Sequence, residues 1–516
     1  MLSEEQVMEN QKAMLDDVVI YNEIPYSIIG DDIEQALKDD YYQEMNQIIS
    51  LYNAYRRGMK FITEGSNANY VPSDLRYKKA ASIINKEARF LFANPPTFNL
   101  NIDDVSEETK VQNTILQDFL DKVLEKNQFN TQLSKAVKDC FVGKRVAIML
   151  NFNEQAGITV TFLNSLEFIY EASNSELRRI VSFYNMVKTS YRENQRWFKK
   201  TYELDEDGSV YVTETIYDGL GKVIKEVLKR TRTRFSYIPA VVILNDGLIG
   251  ENDGESELVD LLGYEQQYSK LANADMDAMR KSMNPTRYTI DASESSTASL
   301  STAPGSYWDL QSDEEHAVDK QAQVGMLEPT MAYSSALKVT LDRIENTMYG
   351  TVDVPNINSE QLQGVITSGK TLKALYWGLS VRCDEKMLTW GPALSFIAAT
   401  IIDGGRLYSK SIKQYTAATT LPTNAFTVTV ENNYPLPEDE NEEKNMDLAE
   451  ITAQTMSRKA YLKKWRKLSD EEAEKELLQI KAEQDLFDNS SMPPVDRADE
   501  QDVADVFDEG TGDVNG

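Results

Sequence analysis

The chain has 516 residues, of which 41% are hydrophobic, and a formal net charge of −29. This length is typical of about three or four domains, and the hydrophobic fraction excludes a chain that is disordered throughout. The acidic balance argues against a protein that grips nucleic acid by neutralising phosphates, because each such contact needs a cation.

Few residues are available for disulfide, metal or nucleophilic chemistry. The two cysteines, Cys140 and Cys383, lie in apolar segments and are expected in the core, which fits a reducing cytoplasm. The single histidine, His316, lies in an acidic stretch where we expect no catalytic role. The start MLSEEQ carries acids where a signal peptide carries bases, and no apolar run approaches the roughly 18 residues of a membrane span. We predict no enzyme activity, no cofactor, no metal and no membrane contact.

The first part of the chain shows helical spacing and the next part shows strand spacing. Residues 1–95 have apolar side chains three and four apart and predict helices over 34–58 and 73–92, followed by a third over 108–127. From about 143 to 245 the period is two, which predicts strands over 145–150, 156–164, 179–187, 196–204, 210–218, 223–231 and 238–244. Asp and Gly at 205–208 and 218–221 predict hairpin turns. A turn is favoured over a calcium loop at 205–208, because the downstream glutamate and the proper spacing are lacking.

One dense basic cluster ends this region. It consists of Lys229, Arg230, Arg232 and Arg234, and alternate residues of a strand share one face. Such a face either touches nucleic acid or pairs with an acidic neighbour. The acidic composition favours pairing.

Two long helices are predicted to bracket a small β insert. The first runs from near Ser256 to Met283, and the second begins at Glu328-Pro329 and ends at Gly350. Between them, TRYTIDA and YWDLQ predict two strands. A polar loop then leads into the longest helical pattern, which ends at Asp403-Gly404-Gly405 and in which Pro392 predicts a kink.

The C-terminal part is predicted to contain a strand, short helices and a tail. AFTVTVENN predicts the strand, Ser457 is a predicted N-cap, and Ser469 with Glu472 forms a predicted capping box. From 486 the acidic composition predicts disorder.

Residues 364–371, GVITSGKT, match the phosphate-binding pattern G-x-x-x-x-G-K-[ST]. The motif works only between a buried strand and a helix, and the preceding PNINSEQLQ is polar and turn-like. A nucleotide site is therefore disfavoured. Ser368 is predicted instead to be the N-cap of the following helix.

The order of these elements resembles the portal proteins of long-tailed bacteriophages of the siphophage type. The resemblance covers roughly residues 30–485, and Thr371 stands where the family often has Ala. The residues that carry it are Ile238-Pro239 through Asn245, Gly254 to Leu258, Ser368, Gly369, Leu372, Lys373, and the helices at Ser457 and Ser469 with Glu471 and Glu472.

The resemblance implies an elongated, ring-forming α+β subunit built from named parts. The parts are a wing (1–252), a stem helix (253–285), a clip (286–327), a second stem helix (328–350), a tunnel loop (351–366), a long kinked helix with a return wing strand (367–441), a helical crown (442–485) and an acidic disordered tail (486–516).

The resemblance also implies a function. Portal proteins form rings, typically dodecamers, at one capsid vertex, through which DNA is packaged and ejected. The implied partners are further copies of the chain, double-stranded DNA held weakly and without sequence preference, the large terminase subunit, a head-tail adaptor, and the capsid and scaffolding proteins. The implied location is the virion, after assembly in the host bacterial cytoplasm.

The tunnel loop has a composition that suits a passage. Its predicted DNA-facing residues are Asn356, Asn358, Ser359, Gln361 and Gln363, and it contains no Lys or Arg. Amides exchange hydrogen bonds with water and release no counterions, so binding stays weak. In the clip, Tyr307, Trp308 and Arg287 are predicted partner contacts, although the aromatic residues suit the core of the insert equally well.

Two other functions remain open at this point. A P-loop ATPase would use GVITSGKT and would lose nucleotide binding when Lys370 is replaced. An acidic scaffold or chaperone would form a small oligomer instead of large rings.

Overall fold

The computed structural model of the chain combines helices and antiparallel sheets, as the predicted α+β class requires. It describes residues 28, 33, 35–59, 71–102, 106–153, 156–173, 179–190, 195–247, 253–283, 286–297, 307–312, 321–327, 331–357, 369–409, 421–436 and 440–488. The chain divides into two compact units. The larger consists of residues 1–367 and 371–436, and the smaller of residues 368–370 and 437–516.

Helices begin the larger unit. They are α1 (Gln35–Arg57), α2 (Lys79–Leu91), α3 (Glu107–Lys126) and α4 (Phe129–Gly143). The predicted helix over 73–92 is wrong in its first turns, where the chain runs extended beside helix α5 (Glu257–Met283). The backbone of Leu75 bonds in both directions to the side-chain amide of Asn273, at 2.9 and 2.7 Å. Side chains of α5 therefore satisfy backbone groups that a helix would otherwise pair internally.

Two sheets in this unit arise from the strand-patterned region. Their strands are β2 (Arg145–Asn153), β3 (Gly157–Asn164), β4 (Phe168–Ala172), β5 (Ile180–Ser190), β6 (Arg196–Leu204), β7 (Val210–Asp218), β8 (Val223–Arg232) and β9 (Ala240–Leu244). They are arranged as β3-β2-β9 and β4-β5-β6-β7-β8, with all neighbours antiparallel. The predicted strands are confirmed, and β4 is an addition that the sequence pattern does not reveal.

The two hairpin turns of this region agree with their predictions, and so do the two cysteines, which lie elsewhere in the larger unit. Gly208 and Gly221 have φ angles of +78° and +81°, and their N–H groups donate to the carbonyls of Asp205 and Asp218 at 2.9 and 3.1 Å. Both cysteines are free and buried.

Two long helices bracket the insert. Helix α5 confirms the first of them. The insert contains β10 (Thr286–Ile290), α6 (Glu294–Thr297) and β11 (Gln323–Leu327), and α7 (Ser334–Thr351) follows a 3₁₀ turn at Met331–Tyr333. The prediction of a strand at YWDLQ is wrong: β10 pairs with β11, and residues 307–311 form no strand. The sequence QVGML does not predict β11, because its side chains are mostly exposed and the segment lacks the alternation of apolar and polar residues typical of a strand.

The longest helical pattern is divided. Helix α8 (Gly369–Leu375) and helix α9 (Trp377–Leu407) are separated at Tyr376, whereas α9 continues through Pro392. The predicted end at Gly404-Gly405 is wrong, because both glycines lie inside α9. A Cβ on Gly404 would come within 2.8 Å of Phe152 Cδ1, so the missing side chain allows close helix–sheet packing.

Helix α9 is central to the larger unit. Trp390, Leu394, Ile397 and Ile401 are fully buried along it. It is the one described helix long and apolar enough to cross a membrane, and half of its most apolar stretch is buried within the fold, a property shared by core helices of soluble proteins. Strand β12 (Thr427–Glu431) follows and pairs with β1 (Thr97–Asn101), which the sequence pattern does not predict.

The described part of the smaller unit contains three helices, and two of them begin at a defined cap. They are α10 (Glu440–Thr452), α11 (Arg458–Arg466) and α12 (Asp470–Asp488). Ser457 Oγ accepts from Ala460 N–H at 3.1 Å, which confirms this N-cap. Ser469 and Glu472 bond reciprocally, at 2.9 and 3.4 Å, which confirms the capping box.

Candidate functional site

The described start of the predicted tunnel loop is anchored by apolar side chains. Val352 and Val354 are buried, and Val354 N–H donates to Tyr349 O at 3.1 Å. Asn356 is half-buried and donates through Nδ2 to Asn346 Oδ1 at 2.9 Å. Of the predicted channel residues, the structure therefore places Asn356 next to the end of α7. The other four, Asn358, Ser359, Gln361 and Gln363, lie outside the described residues.

A cavity of about 430 Å³ lies where the chain enters and leaves this loop. Its walls include Val354, Pro355 and Ile357 on the entry side, and Leu372 and Tyr376 on the exit side. Helix α2 closes it with Phe90, which stacks on Tyr376 with ring centroids 5.5 Å apart, and with Lys86 and Arg89. Lys86 donates to the Tyr349 hydroxyl at 2.8 Å. The loop sequence contains no cation, but α2 contributes two cations to the wall at its base.

Behind the loop, α9 makes a buried set of ion pairs with two other helices. We call this set the charge cluster; it consists of Glu87 on α2, Glu257 at the start of α5, and Arg382 and Lys386 on α9. Lys386 Nζ lies 2.8 Å from Glu257, and Arg382 lies 2.8 Å from Glu87 and 3.4 Å from Glu257. Asp246, after β9, pairs with Lys386 from the more exposed side. These charges are held in the interior by one another, because each would be costly to bury alone.

The ionisation of the charge cluster is perturbed. Burial, reinforced by the charge of Glu257, raises the pKa of Glu87 well above its ordinary value, and the cations Arg382 and Lys386 oppose this shift only in part. Burial alone would lower the pKa of Lys386, but the charges of Glu257 and Asp246 raise it. Lys386 is therefore held as a cation, while Glu87 is held toward its protonated form.

The Gly254-x-Ser256 segment fixes the start of α5 beside this cluster. Gly254 has φ +68°, and a Cβ there would come within 2.6 Å of Lys144 O. Ser256 Oγ donates to Val142 O at 2.7 Å and accepts from Leu258 N–H at 3.3 Å, as an N-cap does. Glycine is needed for the approach, and serine ties the first turn of α5 to α4.

The structure brings two of the three predicted clip residues together. The Arg287 guanidinium lies over the Trp308 ring, 5.1 Å from its centroid. Tyr307 points away and is 89% exposed. In the two-stranded ribbon formed by β10 and β11, Tyr288 lies opposite Gly325. A Cβ at Gly325 would come within 2.7 Å of Tyr288 Cε1. Trp308 therefore packs within the insert, whereas Tyr307 is available at its surface.

Comparison with known families decides between the remaining interpretations. The family model of the phage portal protein, SPP1 Gp6-like, matches residues 33–486 of the chain. The chain belongs to this family of phage portal proteins. No curated protein matches it. Membership of this family implies that the portal protein assembles as a homo-oligomer and is a component of the virion capsid.

The remaining sequence motifs of this portal protein have structural roles. Arg230 pairs with Glu203 and Asp205, both at 3.3 Å, which confirms that this member of the basic cluster pairs with acids. Arg234 lies beyond the end of β8, where its guanidinium donates to Leu407 O and packs on Tyr408.

Most of the Walker-like motif, and residues 358–363 directly before it, lie outside the described part of the portal protein, so the prediction that no strand precedes the motif stays a prediction. Residues 352–357 contain no strand, and 364–368 as well as His316 lie outside the described residues. Within the described residues no group of His, Cys, Asp and Glu could hold a metal ion. The family of phage portal proteins is generally structural.

The charge cluster is the part of the site that the sequence does not reveal. Lys386 lies on the apolar stripe of α9 between Cys383 and Trp390, at helical spacing. A charged residue on a buried stripe predicts a buried partner. The identity of that partner depends on contacts between segments far apart in the chain, and no local pattern gives it.

Proposed function

We propose that this portal protein forms a ring, in the dodecameric form typical of its family, at one capsid vertex, and that DNA enters and leaves through its centre. In this proposal α5 and α7 are the stem, the insert is the clip, and the loop after α7 faces the DNA. The crown is residues 442–485, the wing is residues 1–252, and residues 367–441 are the long helix with the return wing strand. The ring is not an enzyme, and the motor that hydrolyses ATP is the terminase.

The observation that carries the channel proposal is the construction of the loop's base. The buried side chains of Val352 and Val354 anchor the first residues of the loop. Asn356 follows, and its side-chain amide donates to the side-chain amide oxygen of Asn346. Amides contact phosphates without displacing counterions, so DNA can slide past. The net charge of −29 per chain adds repulsion within roughly 8 Å of the surface at physiological salt.

Exposed apolar side chains support the ring. Met283 at the end of α5 is 78% exposed, Val339 on α7 is 66% exposed, and Leu327 on β11 is 61% exposed. A two-stranded ribbon is marginally stable in isolation, and apolar surface of this kind marks an interaction site. Neighbouring copies of the chain are the proposed partners for these surfaces.

We propose that the clip binds the terminase during packaging and the head-tail adaptor afterwards. Tyr307 is the proposed contact, because an exposed aromatic side chain can anchor an interface. Arg287 and Trp308 hold the insert from which it projects. Scaffolding and capsid proteins are proposed to contact the wing during assembly in the host cytoplasm.

The first test is deletion of residues 356–363. Negative-stain images of the purified protein should still show rings with a central hole, while packaging or retention of DNA should fail. If the deleted protein forms rings that package and retain DNA normally, the proposal that this loop lines the channel is refuted. If the wild-type protein is a compact monomer, the proposal that it forms a ring is refuted.

A matched pair of substitutions tests the electrostatic argument. Asn356→Lys and Asn356→Asp both remove the amide that donates to Asn346, but only the lysine adds a cation that can bind phosphate. DNA passage should be slowed in the lysine variant, and raising the salt concentration should relieve this effect. Equal behaviour of the two variants would show that Asn356 does not face DNA.

A further inference from the structure

The charge cluster lies where three parts of the larger unit meet. Glu257 is the first residue of α5, and its carboxylate is almost fully buried between α2 and α9. Lys386 is 3% exposed, and Arg382 lies one turn earlier on α9. One turn before Arg382, Leu379 lines the cavity at the base of the loop. A displacement of α9 therefore acts directly on the start of α5.

The four members of the charge cluster are balanced, two acids against two cations, and the half-exposed Asp246 adds a third acid beside Lys386. With Asp246 included, three carboxylates face two cations, so full ionisation leaves one negative charge in excess. Glu87 is completely buried, and its Oε2 accepts no hydrogen bond from any residue within the described ranges. A proton on Glu87 removes the excess charge and supplies a donor toward Glu257.

We infer that the charge cluster is a proton-sensitive joint that makes α5 and α9 move together. A proton on Glu87 lets its carboxyl and the Glu257 carboxylate lie together against Arg382, and loss of this proton leaves a buried repulsion that loosens both helices. The joint's role in transmitting motion from the loop to the stem rests on the proposed channel function; the joint itself does not.

The other titratable groups at this place do not replace Glu87. Burial raises the pKa of the Cys140 and Cys383 thiols, which keeps both neutral. Asp246 is half-exposed and pairs with Lys386. Because burial and Glu257 raise the pKa of Glu87 in the folded state, its stabilising effect is complete below its ordinary pKa and disappears as pH rises through its folded pKa.

Hydrogen exchange and urea unfolding of the full chain at a series of pH values test this inference. In the wild type, after correction for intrinsic exchange, the first turn of α5 and residues 379–390 of α9 should lose protection together as pH rises. Over the window between the two pKa values, Glu87 should lower the folding equilibrium constant by up to ~10-fold per pH unit. Glu87→Gln keeps the shape of the side chain and should remove the part of both effects that Glu87 causes, whereas the loss of stability that comes from Asp139, whose pKa burial also raises, should remain.

The matched control is Glu265→Gln. Glu265 lies on α5 and is also buried, and burial raises its pKa, but it accepts from Ala80 N–H of α2 at 2.8 Å and does not belong to the charge cluster. This variant should keep the wild-type response of α9.

Three outcomes would overturn the inference. They are an unchanged pH response in Glu87→Gln, a lost α9 response in Glu265→Gln, and loss of protection in α5 and α9 at different pH values. The last needs only the wild type and holds even if a variant fails to fold. Rings that package DNA but show no coordinated exchange would refute the joint alone, and coordinated exchange without rings would refute the portal proposal alone.

Discussion

Replacing Gly404 by alanine tests how closely α9 packs on the sheet. Alanine is the better helix former by about 1 kcal/mol, so the substitution would stabilise an open helix. At this position the new Cβ would lie 2.8 Å from Phe152 Cδ1, and Phe152 Cε1 and Cζ would be closer still. Carbon atoms prefer separations of roughly 3.5–4.0 Å, so the ring must move.

The surroundings of Phe152 decide the magnitude of the effect. Its ring packs against Phe235 and Tyr408, with centroids 5.0 and 5.4 Å away, so displacement disturbs an aromatic cluster. Overpacking of this kind costs ~1–3 kcal/mol, and three ring atoms at 2.8 Å or closer place Gly404 in the upper part of this range, ~2–3 kcal/mol, before the gain in helix propensity is subtracted. We expect Gly404→Ala to lower the free energy of unfolding by about 1–2 kcal/mol, measured by urea unfolding followed by circular dichroism.

Gly263 provides the matched control. It lies in α5, and a Cβ there would meet nothing within 4 Å, so Gly263→Ala should stabilise the protein by up to about 1 kcal/mol. Combining Gly404→Ala with Phe152→Leu should recover part of the loss in a double-mutant cycle. Gly404→Ala as stable as the wild type would mean that α9 does not pack on Phe152.

Three further expectations concern other parts of the chain. Burial raises the pKa of Asp139 from 3.8 to about 6, so stability should fall by up to ~3 kcal/mol as pH rises through this interval, and Asp139→Asn should flatten that fall in urea unfolding. Ser457→Ala removes the cap on Ala460 N–H and should cost ~1 kcal/mol in the smaller unit, seen as faster exchange in α11; unchanged exchange would contradict the cap. Tyr307→Ala should leave the free energy of unfolding within roughly 0.5 kcal/mol of the wild type, since its side chain is exposed, but weaken terminase binding.

The sequence predicts those elements whose pattern is local. The strands from β2 to β9, apart from β4, follow short local patterns, and α5 follows its apolar stripe, so their type and extent are close to the predictions. β1 and β12 pair although they are more than 300 residues apart, and neither sequence indicates the other. The same limit applies at Gly404, where a glycine that resembles a helix end is needed for contact with a distant strand. The absence of cations from the loop can be predicted from its composition. The position of Lys86 beside the loop cannot, because it depends on how α2 packs in the fold.

The placement of cations links the fold to the proposed function. Arg382 and Lys386 lie on the helix behind the loop, yet both point inward to glutamates, and Lys86 is held by Tyr349. A cation paired in this way offsets a buried acid and contributes little to counterion release from DNA. The same side chains can thus stabilise the support of the loop and keep it from adhering to its cargo. Arg89 is exposed on the same cavity wall as Lys86, but it is not the cation that Tyr349 holds. Any salt-dependent retention of DNA at the loop should therefore depend first on Arg89.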